Sequence, residues 1–499
     1  MTVMDISGNL VLLLLIILLG VMTIIWWKKS IRIHSQLPPG PTPLPLIGNI
    51  LQVNPKAFLE SLQKFREKYG PVYTVYFGSH PVVVMCGYEA VKEALVDNGE
   101  FFVNRGKMPL SDYINKGFGV LGSNGERWRT LRRFSLTTLR NFGMGKKSLE
   151  ERIQEETHYL VEKLGKMQGK PIDPTFLLSC AVSNIICSIV FGQRFDYTDK
   201  KFLSLLNDIS ISMRFTNSTW GLIFFFFHKL LRHFPGPHFR GIKHLKDIRE
   251  FVKEQIRHSQ ENLDPNFPQH FIDCFLVKMQ QEKQNPNTEF HMENLLVTTI
   301  NLFFAGTETV STTLRYGFLI LIKYPEIQEK IQDEIDKAIG RQRCPCIEDR
   351  MQMPYTDAVI HEIQRFGDIL PTGVPHSTTH DITFRGYKLP KGTDIYPLLT
   401  TVLQDPEQFS SPGKFYPERF LDDQGNLKKN VAFMPFSTGK RMCPGEGLAR
   451  LEIFLFLTSV LQNFTLTTDV PLEKLDLTSD TSSAGRVPRP YHMFVCPRT

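Results

Sequence analysis

The sequence predicts a mainly α protein with a small β region, carried behind one N-terminal membrane-spanning helix. Apolar residues recur at helical spacing along most of the chain, only two segments alternate like strand hairpins, and an uncharged apolar run lies near the start. The 499 residues are 42% hydrophobic and 22% charged, enough to bury a large core, which excludes intrinsic disorder and fibrous repeats. A net charge of +7 favours lipid headgroups or an acidic protein partner and is too weak to indicate nucleic acid. The 8 cysteines are sparse and irregular, as in a reducing compartment.

Leu10 to Trp27 is almost wholly apolar and is followed at once by Lys28, Lys29 and Arg32, with Asp5 the only charge before it. A secretory signal would need basic residues ahead of the run, so residues 1–30 read as a permanent anchor. The flanking cations place the N-terminus in a lumen and the remainder in the cytosol. Pro38-Pro39-Gly40-Pro41-Thr42-Pro43-Leu44-Pro45 then makes residues 31–46 a stiff, non-helical hinge. Residues 47–499 contain no second linker, low-complexity tract or repeat and are expected to form one large unit.

Within that unit, Pro71 to Cys86 predicts a hairpin turning at Gly78-Ser79-His80-Pro81, and Asp381 to Thr393 another around Arg385-Gly386. The Phe224 to Phe227 run can line an entrance, rest on a bilayer or be plain core. The longest predicted helix runs from about Met292 to Tyr324 and ends before Pro325. Its Leu295, Val297, Ile300, Leu302, Phe303, Phe304, Val310, Leu314 and Phe318 surround the axis, so it should be central and buried.

The chemistry concentrates in Phe436-Ser437-Thr438-Gly439-Lys440-Arg441-Met442-Cys443-Pro444-Gly445-Glu446, which opens a helical run. A cysteine at a helix start meets free N–H groups and the positive end of the dipole, which favours a thiolate. The pattern Phe-x-x-Gly-x-Arg-x-Cys-x-Gly resembles the cytochrome P-450 family of haem-thiolate monooxygenases. The resemblance implies that Cys443 is the axial haem-iron ligand, that Arg441 holds a haem propionate, and that Phe436 and Gly439 belong to the same cofactor-binding loop. Pro444 removes one donor, leaving the N–H groups of Gly445 and Glu446 to face the sulfur.

Further motifs match the same family. Ala305-Gly306-Thr307-Glu308-Thr309 sets an acid beside hydroxyls inside an apolar helix, where an idle carboxylate would be costly. The family likeness implies that Gly306 makes room for oxygen, Thr309 hydrogen-bonds it and Glu308 helps deliver protons. His361-Glu362-Ile363-Gln364-Arg365 lacks the second histidine of a zinc-hydrolase motif. It matches instead an E-x-x-R element in which Glu362, Arg365 and the downstream Arg419 form a buried core ion-pair network. Trp128, Arg132, His376 and Lys116 match positions that contact haem propionates. Cys344-Pro345-Cys346 shows no companion ligands in the sequence and reads as a loop.

The likeness covers the chain from anchor to C-terminus and is nearest the vertebrate microsomal second family. It implies the triangular-prism fold, haem b as cofactor, O2 as cosubstrate, and electrons from NADPH through a flavoprotein reductase, with cytochrome b5 a second candidate donor. It also implies the endoplasmic reticulum membrane as location. By the same likeness, Arg127, Arg129, Arg133, Arg140, Lys146, Lys147, Lys428, Lys429 and Lys440 would supply a basic face for the acidic reductase. Substrates would be small and hydrophobic, meeting Asn301, Phe304, Ala305, Ser111, Asn115, Gly122, Met213, Leu370, Gly373, Val374 and Ala484. Asn301 resembles the amide of a coumarin-hydroxylating subfamily, whereas Ser111, Asn115, Gly122 and Ala484 stand where that subfamily has phenylalanine. The smaller side chains suit drugs, odorants or steroids; a fatty-acid epoxygenase and a haem-thiolate isomerase are the alternatives.

Overall fold

The computed structural model describes residues 36–143, 147–167, 169–480 and 485–498, together with isolated helical residues between 13 and 25. Among the described residues no helix is long and apolar enough to cross a membrane, and much of the anchor expected at Leu10–Trp27 lies outside them. The helices of seven or more residues are α1 (Phe58–Tyr69), α2 (Pro109–Asn115), α3 (Gly125–Asn141), α4 (Lys147–Gly165), α5 (Pro174–Val190), α6 (Lys200–Thr216) and α7 (Thr219–Leu231). They continue as α8 (His238–Asn262), α9 (Phe271–Gln281), α10 (Met292–Lys323), α11 (Pro325–Ala338), α12 (Pro354–Gly367) and α13 (Glu446–Asn463).

The strands are short. β1 (Val72–Phe77) and β2 (His80–Cys86) form the expected hairpin, turning at Gly78-Ser79 with Gly78 at φ 63°. β3 (Asn104–Arg105), β4 (His376–Ser377) and, later in the chain, β7 (Asp394–Leu398) complete a sheet in the order β1-β2-β7-β4-β3. Its β2–β7 pair is parallel and the other neighbours are antiparallel. β5 (Ile382–Phe384) and β6 (Tyr387–Leu389) pair across Arg385 and Gly386, at φ 49° and 83°, the left-handed pair that a two-residue hairpin turn requires. β8 (Phe464–Thr467) pairs with β9 (Phe494–Pro497).

Along β2, Val83 and Met85 pack into one apolar cluster while Val82, Val84 and Cys86 pack into another, so the strand is covered on both faces. The largest cluster surrounds α10, whose Leu295, Val297, Ile300, Leu302, Phe303, Val310, Leu314 and Phe318 are all buried. His291 caps that helix, its Nδ1 accepting from Asn294 N at 3.4 Å. Tyr324 leaves the α region before Pro325, which then opens α11 as its first residue.

The stiff proline segment is also tied to the sheet: Pro38 O and Pro39 O accept from Thr74 Oγ1 and Thr74 N of β1 at 2.8 and 2.9 Å. Prolines lack the N–H but keep the carbonyl, and Gly40 permits the approach, since a Cβ there would lie 1.9 Å from Thr74 O. Of the three readings of the aromatic run, plain core is the one met at Phe224, which is buried and stacked on His238 at 5.0 Å, and at Phe225, part-buried and edge-on to Phe77 at 6.0 Å. Among the described residues, the exposed large apolar side chains of this region are Trp220, Leu230, Phe234 and Phe239.

Candidate active site

The loop carrying Cys443 runs from a single turn at Gly439–Arg441 to the start of α13, three residues beyond the cysteine. Gly439 sits at φ 73°, and a Cβ there would lie 1.9 Å from Leu95 O, so the loop reverses only with glycine. Cys443 N donates to Phe436 O at 3.0 Å and closes the loop. Burial pushes the Cys443 thiol up, and the Glu446 charge adds to this, while the N–H groups of Gly445 and Glu446 and the Arg132 charge pull it down. The two backbone donors are the open end of α13.

Three guanidinium groups gather beside this loop. Arg441 is buried, donates to Val103 O at 2.8 Å and Ser123 O at 2.7 Å, and lies 3.9 Å from the Trp128 ring. Arg132, one turn beyond Trp128 on α3, donates to Met442 O at 2.6 Å. Arg105 on β3 is 3.1 Å from His376 Nε2 and 3.3 Å from Val374 O. Because His376 Nδ1 lies 2.7 Å from the Phe102 carbonyl, Nδ1 carries the proton and Nε2 accepts from Arg105.

Among the described residues these three arginines bond only neutral acceptors. Burial, then repulsion by Arg105 and Arg132, pushes Arg441 down to about 8; burial and Arg132 push Arg105 down to about 9. Burial and the Arg105 charge push His376 down to about 3, so it is neutral. Arginine keeps its proton in proteins, so the cluster is an unneutralised positive pocket that carboxylates would relieve. Among the described residues Arg105 Nε and Trp128 Nε1 are buried without partners, two further donors of the kind a carboxylate accepts. Residues beside Cys443 thus fit a group bearing two carboxylates, as haem does.

Arg105 was invisible in the sequence, where it follows no motif and falls in a two-residue strand. Lys116, by contrast, is exposed at the left-handed end of α2 and shares no hydrogen bond or ring contact with the cluster. Among the described residues Arg105, not Lys116, supplies the cation beside His376.

On α10, burial pushes the Glu308 carboxyl up to about 7, with the charges of Arg315 and then Arg214 pulling it down. Thr309 Oγ1 donates to Ala305 O at 2.8 Å, Ser311 Oγ to Thr307 O at 2.8 Å and Thr313 Oγ1 to Thr309 O at 2.8 Å. Side-chain back-bonding of this kind loosens the helix ladder beside the acid. Gly306 has a packing reason of its own, because a Cβ there would meet Ile186 of α5 at 3.0 Å.

Glu362 and Arg365 are fully buried and joined by two bonds of 2.7 and 2.8 Å, with Arg419 Nε 3.2 Å from the same carboxylate. Tyr416 N also donates to Glu362 at 3.0 Å, and Arg365 to Leu403 O at 2.9 Å, so each charge is saturated. His361 is occupied structurally, its Nδ1 against Asp357 O at 2.7 Å.

Asn301, Ala305 and Thr309 share a face of α10, with Phe304 beside them. Asn301 Oδ1 already accepts from Leu121 N at 3.2 Å, and the 119–122 turn presses on it so closely that a Cβ at Gly119 would lie 2.5 Å away. Gly122 is roomier, with Met108 Cε the nearest atom at 3.6 Å from an added Cβ. Ser111 and Asn115 bond each other at 3.2 Å, and Asn115 reaches Arg249 of α8 at 3.5 Å. Leu370 O accepts from Gly373 N at 2.9 Å in the turn leading to Val374, and Met213 lies on α6, part-buried. Ala484 and Lys146 lie outside the described residues.

Of the basic face, Arg127, Arg129 and Lys440 are paired with Glu289, Glu126 and Glu100, whereas Arg133, Arg140, Lys147, Lys428 and Lys429 are exposed without ion pairs among the described residues. Cys346 does have companions: its sulfur and the carboxylates of Glu150 and Glu348 lie within 4.8 Å of one another. Folding, not sequence proximity, brings Glu150 of α4 to that loop, where it accepts Ile347 N at 2.7 Å.

Comparison with known proteins gives the same direction. The cytochrome P450 family model matches residues 38–494. Cytochrome P450 2G1 of Oryctolagus cuniculus is 52% identical over 495 residues, covering 99% of this chain and 100% of the relative. Cytochrome P450 2C8 of Homo sapiens is 54% identical over 471 residues, 94% and 96% of the two chains. Cytochrome P450 2A5 of Mus musculus is 52% identical over 487 residues, 98% and 99%. With a family match over nearly its whole length and relatives more than half identical along it, the chain belongs to the cytochrome P450 family of haem-dependent monooxygenases.

Proposed function

We propose that this chain is a microsomal monooxygenase that inserts one oxygen atom of O2 into small hydrophobic substrates, the other leaving as water. The observation that carries the reading is a cysteine sulfur met by two backbone N–H groups and flanked by three guanidiniums lacking carboxylate partners. Cys443 would hold the haem iron, and Arg441, Arg132, Arg105 and Trp128 would hold its propionates. When bound, the haem supplies oxygen activation, with thiolate donation favouring O–O cleavage.

This chain's own part is binding, orientation and proton handling. The Gly445 and Glu446 N–H groups stabilise negative charge on the sulfur. Glu308, titrating near neutrality, can release a proton and regain it, and the Thr309 hydroxyl, anchored to Ala305, can pass one on. Asn301, Phe304, Ala305, Gly122, Leu370, Gly373 and Val374 would shape an apolar site with little space taken by aromatic rings, which suits xenobiotics or steroids over narrow coumarin-type ligands. An anchor at residues 1–30 would hold the chain to the endoplasmic reticulum membrane with its N-terminus lumenal. Arg133, Arg140, Lys147, Lys428 and Lys429 would receive the acidic NADPH reductase.

The test is a Soret titration of the ferric protein against small aromatic xenobiotics and, separately, long-chain polyunsaturated fatty acids. A low-to-high-spin shift with the aromatics supports the proposal, and a shift with fatty acids alone replaces it with an epoxygenase. Cys443→Ser retaining thiolate-type spectra and turnover would overturn the site assignment.

A further inference from the structure

We infer, on the reading of Asn301 as a pocket residue, that Asn294 and Arg127 are positioning residues for its amide. With Glu289 they clamp the turn between α2 and α3 onto α10, and that turn fixes which end of the Asn301 amide a substrate meets.

Asn294 and Asn301 are seven apart on α10 and so share a face, and both amides meet this turn. Gly119 N donates to Asn294 Oδ1 at 3.2 Å, and Leu121 N donates to Asn301 Oδ1 at 3.2 Å. A backbone N–H can only donate, so each side chain must face it with its oxygen. The orientation of both amides follows. Asn301 Nδ2 makes no hydrogen bond among the described residues, and Ala305, one turn further along, is exposed although α10 is central, so this face borders a cavity. The donor end of Asn301 is therefore the end left for a ligand, and it suits a small apolar molecule carrying a carbonyl.

The clamp itself is made of longer side chains. Arg127 of α3 donates from Nη1 to Gly117 O at 3.3 Å, and its guanidinium lies 4.6 Å from the Phe118 ring, which is edge-on to His291 at 5.4 Å. Glu289 joins the two halves: its carboxylate is 2.6 Å from Arg127 Nε and 2.9 Å from Asn294 Nδ2, and its backbone carbonyl accepts from Asn294 Nδ2 at 2.8 Å. Asn294 is fully buried, so these bonds are not exchanged for water. Arg127 is thereby committed to the pocket turn and not to the basic face. Removing either residue releases the turn, Leu121 N leaves Asn301 Oδ1, and the amide rotates to present oxygen as readily as N–H.

The experiment is a Soret titration of the full haem-loaded protein with indanone and with indane, which share a bicyclic frame and differ by one carbonyl. The ratio of the two dissociation constants cancels losses common to both ligands. Asn301→Ala, Asn294→Ala and Arg127→Met should each lower the relative preference for indanone by about threefold to tenfold. Adding Asn294→Ala to Asn301→Ala should change it by less than about twofold further, because both act through one amide. An unchanged preference in Asn301→Ala removes the amide from the pocket and overturns both that reading and the proposal. A lowered preference there, with no change in Asn294→Ala and Arg127→Met, overturns the proposal alone; where Asn294→Ala does not load haem, the part-exposed Arg127→Met decides. A large further loss in the double variant also overturns it, since Asn294 would then act by a route other than Asn301.

Discussion

Arg105 and His376 are register partners across the β3–β4 pair, and the guanidinium of the first stands 3.1 Å from Nε2 of the second. The histidine is spoken for on both sides, by the Phe102 carbonyl and by Arg105, so it acts as a neutral post that aims the arginine. Two strands of two residues each, far apart in sequence, thereby deliver a buried cation to the side of the Cys443 loop.

That arrangement predicts a haem-retention defect. Arg105→Leu removes a charge-assisted bond of roughly 1.5–3 kcal/mol, which corresponds to about tenfold to hundredfold weaker haem affinity. Transfer of haem to an apo-acceptor protein measures it. Lys116→Leu, at an exposed site apart from the cluster, should leave retention within about twofold.

The buried Glu362 network predicts a stability defect without a direct change in chemistry. Glu362→Gln leaves Arg365 and Arg419 uncompensated, at a cost of roughly 3–5 kcal/mol. Urea unfolding followed by circular dichroism should show the midpoint falling. Glu446→Gln, a part-exposed helix pair with Arg450 at 2.9 Å, should cost about 0.5 kcal/mol or less.

Much of this was legible in the sequence because it is local. The i, i+3 spacing of Glu362 and Arg365, the i, i+4 spacing of Trp128 and Arg132, the two hairpin turns and the all-round apolar coat of α10 are each written within a few residues. Arg105 was not legible, since its role depends on pairing with His376, 271 residues further along the chain. The proline segment was legible only in part: composition revealed its stiffness but not that β1 would present Thr74 to its carbonyls. Phe224 shows the same limit, because a run of identical aromatics does not say which member turns inward onto His238.

Gly439→Ala should be among the most damaging single-methyl additions. The new Cβ would collide with the Leu95 carbonyl while φ stays at 73°, combining overpacking with left-handed strain for at least about 2 kcal/mol. The expected outcome is chain that accumulates without stoichiometric haem, read as the ratio of Soret to protein absorbance. Gly447→Ala, where an added Cβ meets nothing within 4 Å, is the matched control and should load normally.

Glu308 also predicts how stability depends on pH. In the folded chain burial pushes its carboxyl up to about 7, whereas an unfolded glutamate titrates near ~4.3. The folded state therefore binds the proton more tightly, so this residue's contribution is most favourable below the unfolded value, declines as pH rises from about 4 to about 7, and is constant above. At 1.36 kcal/mol per pH unit the decline is at most about 4 kcal/mol, and less in practice because the side chain is only part-buried. Asp368, pushed up to about 6 by burial, adds a smaller change of the same sign, so the comparison must be made between variants. The fall in melting temperature between pH 5 and pH 8, about the two sides of the Glu308 midpoint, should shrink in Glu308→Gln by several degrees. An equal fall in both proteins would mean that the Glu308 carboxyl titrates as an ordinary exposed acid, and the neutral-range proton exchange assigned to it would go with it.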